Sequence, residues 1–303
     1  MTASQPAGFA ARLTDACRSV GTPLCVGMDP HLDMIPPLFR RGSMQPGAAA
    51  TAAAVSDYCY AMLPLLARRV ALIKPQLALF EQLGPEGMML LARFAADAAA
   101  EGMLVVMDGK RGDIGSTSAA YARAWLGRDA PFPADALTVN PFLGLDTLAP
   151  FLETADATAS GLFVLVRTSN GGSADLQEVI AADGRPLWLQ LACRLAPLAE
   201  ARTDDSGFSS LGVVIGAGHA EQAIQLRQIL PTALFLVPGF GAQGGDAATA
   251  LAGLVAGPEG PEGGIINSSR GIGFPTDAAD SRVSTDWRQA VCRSLEATIL
   301  ALR

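Results

Sequence analysis

Short apolar runs of a few residues alternate with longer Ala- and Leu-rich stretches along this chain. Eight such runs occur, at 24–28, 70–73, 103–106, 136–139, 162–166, 211–215, 234–237 and 264–266. Near-continuous apolarity in a short strand means burial on both faces, as in a parallel sheet covered by helices. Helical spacing is clear at the start, where Phe9, Leu13, Cys17 and Val20 precede Gly21, a residue suited to stopping a helix. A last helix is predicted over about 285–300. Eight strand–helix units closed by a final helix predict an α/β fold, a (β/α)8 TIM barrel. We expect one domain over residues 1–303, since no linker or short repeat divides it. Two segments break the period and read as irregular insertions. Residues 30–50 are rich in Pro, Gly and Met, and residues 170–207 hold Asn170-Gly171-Gly172-Ser173, a helical stretch over 186–201 and a polar run.

The polar residues gather at the carboxyl ends of the predicted strands. They are Asp29, Lys74, Asp108 with Lys110, Asn140, Thr168-Ser169-Asn170, Pro238-Gly239 with Gln243, and Asn267-Ser268-Ser269-Arg270. In a barrel these ends share one face, the face that carries the active site. A single Asp after a strand is ordinarily a turn or a helix cap. Capping does not explain so many polar ends converging.

The densest of these ends is Asp108-Gly109-Lys110-Arg111-Gly112-Asp113-Ile114-Gly115-Ser116-Thr117, placed where a strand hands over to a helix. Two carboxylates bracket one ammonium there. A lysine serving as nucleophile or Schiff base needs apolar or cationic surroundings, and Lys110 has the opposite. Its setting suits meeting negative charge that develops on a substrate and then supplying a proton. Two glycine-rich loops follow the last strands, Pro238 to Gly245 and Asn267 to Gly273. Glycines let backbone amides approach an anion, and barrels commonly hold phosphate with their seventh and eighth loops. Arg270 would add a two-pronged charged contact and Gln243 an amide donor.

Composition narrows the partners. The 303 residues are half hydrophobic and carry a formal net charge of −7, with no basic stripe, so nucleic acid is not an expected partner. The five cysteines form no Cys-x-x-Cys pair, and His31 and His219 give no zinc spacing. No metal site is expected, and the thiols are expected free. Neither histidine has a partner serine in a Gly-x-Ser-x-Gly turn, which argues against a hydrolase triad. His219 reads as a helix-start or surface residue and Arg111 as a salt-bridging neighbour of the lysine cluster. The N-terminus lacks signal-peptide features, and no apolar run approaches the roughly 20 residues of a membrane span. The expected place is the cytoplasm, without a membrane partner.

Taken together, these residues resemble the orotidine 5′-phosphate decarboxylase family, in its longer bacterial branch, the type 2 subfamily. The most specific match is Asp108-x-Lys110-x-x-Asp113-Ile114 with Gly115-Ser116-Thr117. Supporting matches are Cys25 to Pro30, Ile73-Lys74-Pro75-Gln76, Asn140 to Gly144, Arg167-Thr168-Ser169-Asn170, Val237 to Asp246, and Arg270-Gly271. The resemblance covers nearly the whole chain. Gly216-Ala217-Gly218-His219 departs from it, standing where relatives have Gly-Ala-Thr.

The resemblance implies cofactor-free decarboxylation of orotidine 5′-phosphate to UMP, the last step of de novo pyrimidine nucleotide synthesis. It implies that Asp29 and Lys74 hold ribose hydroxyls and order the charge network. Asp108 would sit beside the substrate carboxylate, and Lys110 would protonate C6. It further implies a homodimer in which Asp113, Ile114 and Thr117 enter the neighbour's site. Ser169 would contact the pyrimidine, while Gln243 and Arg270 would grip the phosphate. Asn140, Thr168, Pro238 and Gly271 complete the implied binding set. Two alternatives stand beside it: a magnesium-dependent sugar-phosphate decarboxylase or aldolase of the same structural group, and a non-catalytic nucleotide-binding barrel.

Overall fold

The computed structural model describes residues 7–241 and 246–303, and Gln243 lies outside the described residues. The strands are β1 Leu24–Met28, β2 Leu72–Pro75, β3 Leu104–Arg111, β4 Ala136–Val139, β5 Gly161–Arg167, β6 Ser209–Ile215, β7 Ala233–Pro238, β8 Val255–Gly257, β9 Gly260–Glu262 and β10 Gly264–Ser268. Eight of them close a barrel in the order β1-β10-β7-β6-β5-β4-β3-β2, every pair parallel. Each of the eight apolar runs supplies one barrel strand, so the (β/α)8 expectation holds. The antiparallel hairpin β8–β9 was not predicted, because its Val255 to Glu262 stretch, with two glycines, two prolines and two glutamates, has no apolar alternation.

The helices are α1 Phe9–Val20, α2 Ala49–Leu66, α3 Leu77–Glu81, α4 Pro85–Ala100, α5 Gly115–Leu126, α6 Ala149–Thr158, α7 Ala174–Gln177, α8 Leu187–Glu200, α9 Ala220–Ile229, α10 Ala247–Leu251, α11 Arg270–Gly273 and α12 Ser284–Ala301. Gly21 ends α1 at φ 67°, the left-handed stop its position predicted. One sequence expectation needs correcting. Helix α2 is long and apolar enough to cross a membrane by length and composition alone, although half of it is buried within the protein. Its polar residues are few because it packs Val55, Tyr58, Met62 and Leu66 into the core.

Two apolar layers hold the barrel. The outer one lies between strands and helices, and the inner one fills the barrel with Cys25, Leu72, Val106, Ala136, Phe163, Val214, Leu234, Leu236 and Ile265. Helix α1 plugs the amino-terminal end with Phe9, Ala10 and Leu13. The Phe9 ring meets Phe163 edge to face at 6.0 Å. Two residues beyond the inner apolar positions, the same strand register presents Lys74, Asp108, Thr138 and Asn267. Side chains two apart share a face, so one alternation makes an apolar interior below and a polar layer above.

The 30–50 insertion is packed rather than loose. Phe39 lies edge-on to Tyr58 at 5.8 Å and to Trp287 at 4.9 Å, and Tyr58 stacks on Phe274 at 5.2 Å. This cluster ties the insertion to α2, α12 and the loop after β10. At the barrel floor, a methyl at Gly161 would lie 2.1 Å from the Phe9 ring. Gly161→Ala is therefore expected to destabilise by about 1–3 kcal/mol through overpacking. A melting-temperature comparison with wild type checks this, and an unchanged value would contradict the packing described.

Candidate active site

The polar layer lines a cavity of about 840 Å³ at the carboxyl face of the barrel. Asp108, within β3, is its hub. Lys74 Nζ, at the end of β2, donates to Asp108 Oδ2 at 2.6 Å, and Lys110 Nζ donates to Oδ1 at 2.5 Å. Gln76 Nε2 donates to Oδ2 at 3.0 Å and the Thr138 hydroxyl to Oδ1 at 3.0 Å. Both carboxylate oxygens thus carry two donors, which fixes the side chain's rotation.

Burial acts to raise the Asp108 carboxyl, but Lys74 and then Lys110 outweigh it and hold it well below the usual carboxylate range. On Lys74, burial pulls downward. Asp108 and Asp29 overcome that and keep the ammonium above the ordinary lysine value. Lys74 is 3 % exposed, so it serves as a fixed internal charge, whereas the Lys110 side chain is 45 % exposed to the cavity. Of the two ammoniums, only Lys110 has room to follow a reacting atom.

The backbone also singles out Lys110. Its φ is 48°, a left-handed value rare for a residue with a side chain, and the β3–β4 register shifts between Met107 and Arg111. The Lys110 amide donates to the Thr138 hydroxyl at 2.9 Å, while that hydroxyl donates to Asp108. Thr138 therefore holds both the strained backbone and the hub carboxylate. A strained conformation is kept where its surroundings over-determine it, and such positions cluster at functional sites.

The rest of the rim offers uncommitted groups. Asp29 Oδ1 and Asn267 Oδ1 are buried and, among the described residues, have no hydrogen-bond partner. A buried acceptor left open in this way is suited to a ligand hydroxyl. Arg270, exposed at the start of α11, lines the same cavity and forms no ion pair among the described residues. Asn140, Thr168, Ser169 and Pro238 line the cavity as well. No three His, Cys, Asp or Glu side chains converge as a metal-ligand group among the described residues.

Four residues expected at the site stand off from this cavity. Asp113, Ile114 and Thr117 lie at the start of α5 and Gly271 within α11, outside its lining. Asp113 Oδ1 accepts from the Ile114 amide at 2.7 Å, and Ile114 is 63 % exposed. Thr138 is a site residue that sequence reasoning passed over, while Gln76 and Asn267 were named in motifs without a role. Thr138 is the one polar residue of its strand, Ala136-Leu137-Thr138-Val139, two positions on from an inward alanine, and that signal could have found it. His219 precedes α9 as expected, and its Nε2 also donates to the Thr168 carbonyl at 3.1 Å. Burial first, and then the Arg167 guanidinium, lower its imidazole below the ordinary value. Arg111 pairs with Glu81 and lies over the Tyr121 and Trp125 rings, a neighbour of the cluster as predicted.

The profile of the Orotidine 5′-phosphate decarboxylase / HUMPS family matches residues 22–282. The chain belongs to this family. It is 41 % identical over 290 residues to the orotidine 5′-phosphate decarboxylase of Rhodopirellula baltica, covering 93 % of this chain and 95 % of that one. The Deinococcus radiodurans orotidine 5′-phosphate decarboxylase is 40 % identical, with 88 % and 89 % covered. The solved structure of Leishmania donovani OMP decarboxylase superposes with a TM-score of 0.70 at 32 % identity, covering 97 % of this chain and all of that one.

The charge network has a signed pH consequence. Asp108 titrates lower folded than unfolded, so its contribution is complete above the ordinary carboxylate pKa of about 4. It is lost as pH falls through the folded value. Lys74 is raised, so its contribution is complete below about 10.4 and is lost as pH rises through its folded value. Asp108→Asn leaves Lys74 buried without its main partner and is expected to cost about 3 kcal/mol at neutral pH. The melting-temperature gap to wild type should narrow as pH falls below about 4. A gap constant down to about pH 2 would contradict the pairing.

Proposed function

We propose that this chain decarboxylates orotidine 5′-phosphate to UMP without a cofactor, as a carboxy-lyase of pyrimidine nucleotide synthesis. The observation that carries the reading is the Lys74–Asp108–Lys110 array at the floor of the cavity. Loss of carbon dioxide from C6 leaves an electron pair in the plane of the pyrimidine ring, where the ring delocalises it poorly. The stabilisation must then come from fixed charge close to C6. Lys110 supplies that charge and afterwards the proton. Asp108 holds the ammonium in place, and Lys74 keeps Asp108 ionised at a buried site.

Asp29, with its open acceptor, takes a ribose hydroxyl in this reading, and the cavity's Asn140, Thr168, Ser169 and Pro238 surround the nucleoside. Arg270 holds the phosphate, joined by Gln243 and by the backbone at Gly271. Anchoring the phosphate far from C6 lets binding energy order the loops and charges around the reacting carbon.

We further assign a homodimer, with Asp113, Ile114 and Thr117 completing the neighbour's site. Support comes from their position outside their own cavity and from exposed apolar side chains on the segments after β3 and β4, where Ile114, Phe142 and Leu143 are 63 %, 74 % and 53 % exposed. The proposed unit is a single barrel domain over residues 1–303, working in the cytoplasm, where its five free thiols would stay reduced.

Lys110→Ala is expected to raise the barrier by about 3 kcal/mol or more, at least a hundredfold in kcat. The assay is conversion of orotidine 5′-phosphate to UMP by purified protein in EDTA. Near-normal turnover by the variant would overturn the assignment of Lys110, and wild-type turnover only on adding magnesium would favour the sugar-phosphate chemistry instead. The dimer is tested by mixing inactive Lys110→Ala and Asp113→Ala subunits under conditions of exchange. Activity should return, because one site in the hybrid regains both residues, and no recovery despite hybrid formation would refute sharing.

A further inference from the structure

The charge array does not use a second buried ion, Arg167, at the end of β5. It is 4 % exposed, and its guanidinium is spent on the loop that follows. Nε donates to Gln222 Oε1 on α9 at 2.9 Å. Nη1 reaches Ser173 Oγ at 2.5 Å, Gln177 Oε1 at 3.3 Å and the Thr168 carbonyl at 3.4 Å, and Nη2 pairs with Glu178. One side chain therefore ties α9, the turn at 171–173 and α7 to the strand end.

The consequence is an ordered set of hydrogen-bond directions. A guanidinium only donates, so Gln177 must turn its oxygen toward Arg167. That oxygen also accepts from the Thr168 amide at 2.9 Å. The Gln177 Nε2 is then directed at the Thr168 hydroxyl, to which it donates at 2.8 Å. The hydroxyl's own proton goes to Asn170 Oδ1 at 2.6 Å. Thr168 and Asn170 are thereby committed within the loop. Ser169, between them, lines the cavity with a hydroxyl that makes no side-chain hydrogen bond among the described residues. Its backbone is pressed from below by Gly216, where a Cβ would lie 2.7 Å from Ser169 Cβ and 2.9 Å from its amide nitrogen.

We propose that Arg167 is a positioning residue for substrate recognition. By fixing Gln177 it commits Thr168 and Asn170 to each other and leaves the Ser169 hydroxyl as the group the β5 loop offers to the substrate's pyrimidine edge. The inference rests on the decarboxylase reading above and adds a residue that never touches the substrate.

The test is steady-state kinetics with orotidine 5′-phosphate, and inhibition by UMP, on wild type, Arg167→Met, Arg167→Lys and Gln177→Glu, each with its melting temperature. Gln177→Glu keeps an acceptor for Arg167 but removes the donor to Thr168. Arg167→Met and Gln177→Glu are expected to raise KM and weaken UMP binding by on the order of tenfold, with kcat changed less. Arg167→Lys should recover part of the loss. A merely structural role would lower the active fraction, and so kcat, while leaving KM and UMP binding unmoved. A folded Arg167→Met with wild-type KM and UMP binding overturns the proposal. If that variant does not fold, wild-type values in Gln177→Glu overturn it. Absence of decarboxylation by wild type overturns the reading beneath it, whereas wild-type turnover with unmoved variants overturns the role of Arg167 alone.

Discussion

A buried carboxylate between two ammoniums is the constraint around which the upper half of this barrel is arranged. Asp108 is 7 % exposed and accepts from Lys74, Lys110, Gln76 and Thr138, side chains delivered by β2, β3, β4 and the loop after β2. Removing such a charge from water is costly, and only good geometry with every lone pair engaged makes it tolerable. Parallel strands meet that demand, because their register brings residues two positions above the apolar interior to one level. The site is thus an extension of the sheet's own alternation.

The same economy explains the strained lysine. With φ at 48°, Lys110 leaves the ladder where β3 loses register with β4, which swings its side chain back over Asp108. A regular strand would have turned successive side chains to opposite faces, with the residue at 110 standing above Asp108 and beyond easy reach of it. Thr138, spanning the amide of one residue and the carboxylate of the other, secures the departure. The geometry of the charge array and the local strain are here one feature, and a rigid barrel is what keeps it from relaxing.

The irregular segments divide the labour of the rim. Residues 30–50 form an aromatic clamp through Phe39, Tyr58 and Trp287 that steadies the β10 loop, with the Tyr58 hydroxyl donating to the Gly273 carbonyl at 3.1 Å. Residues 170–178 are held instead by one buried cation, Arg167. One insertion is fixed by packing and the other by polar bonds. Polar bonds set direction as well as distance, which suits a loop that presents a single hydroxyl.

From sequence alone, the strand count, the first and last helices and the lysine–aspartate cluster were all legible, because each is written in local order: apolar runs, helical spacing, and charges a few residues apart. The membership of the cavity was partly legible, since polar strand ends must share one face of a barrel. What remained hidden depends on residues far apart in the chain. Lys74 lies 34 positions from Asp108, and Thr138 lies 30 positions from it. Their bonds exist only once the parallel register is set, so no pattern within one segment announces them. Arg167 reads in sequence as one charge in a motif, and only the folded loop turns it into an anchor. Local order chose the elements, and tertiary register decided which polar groups meet, because hydrogen bonds and ion pairs act over a few ångströms, whatever the separation along the chain.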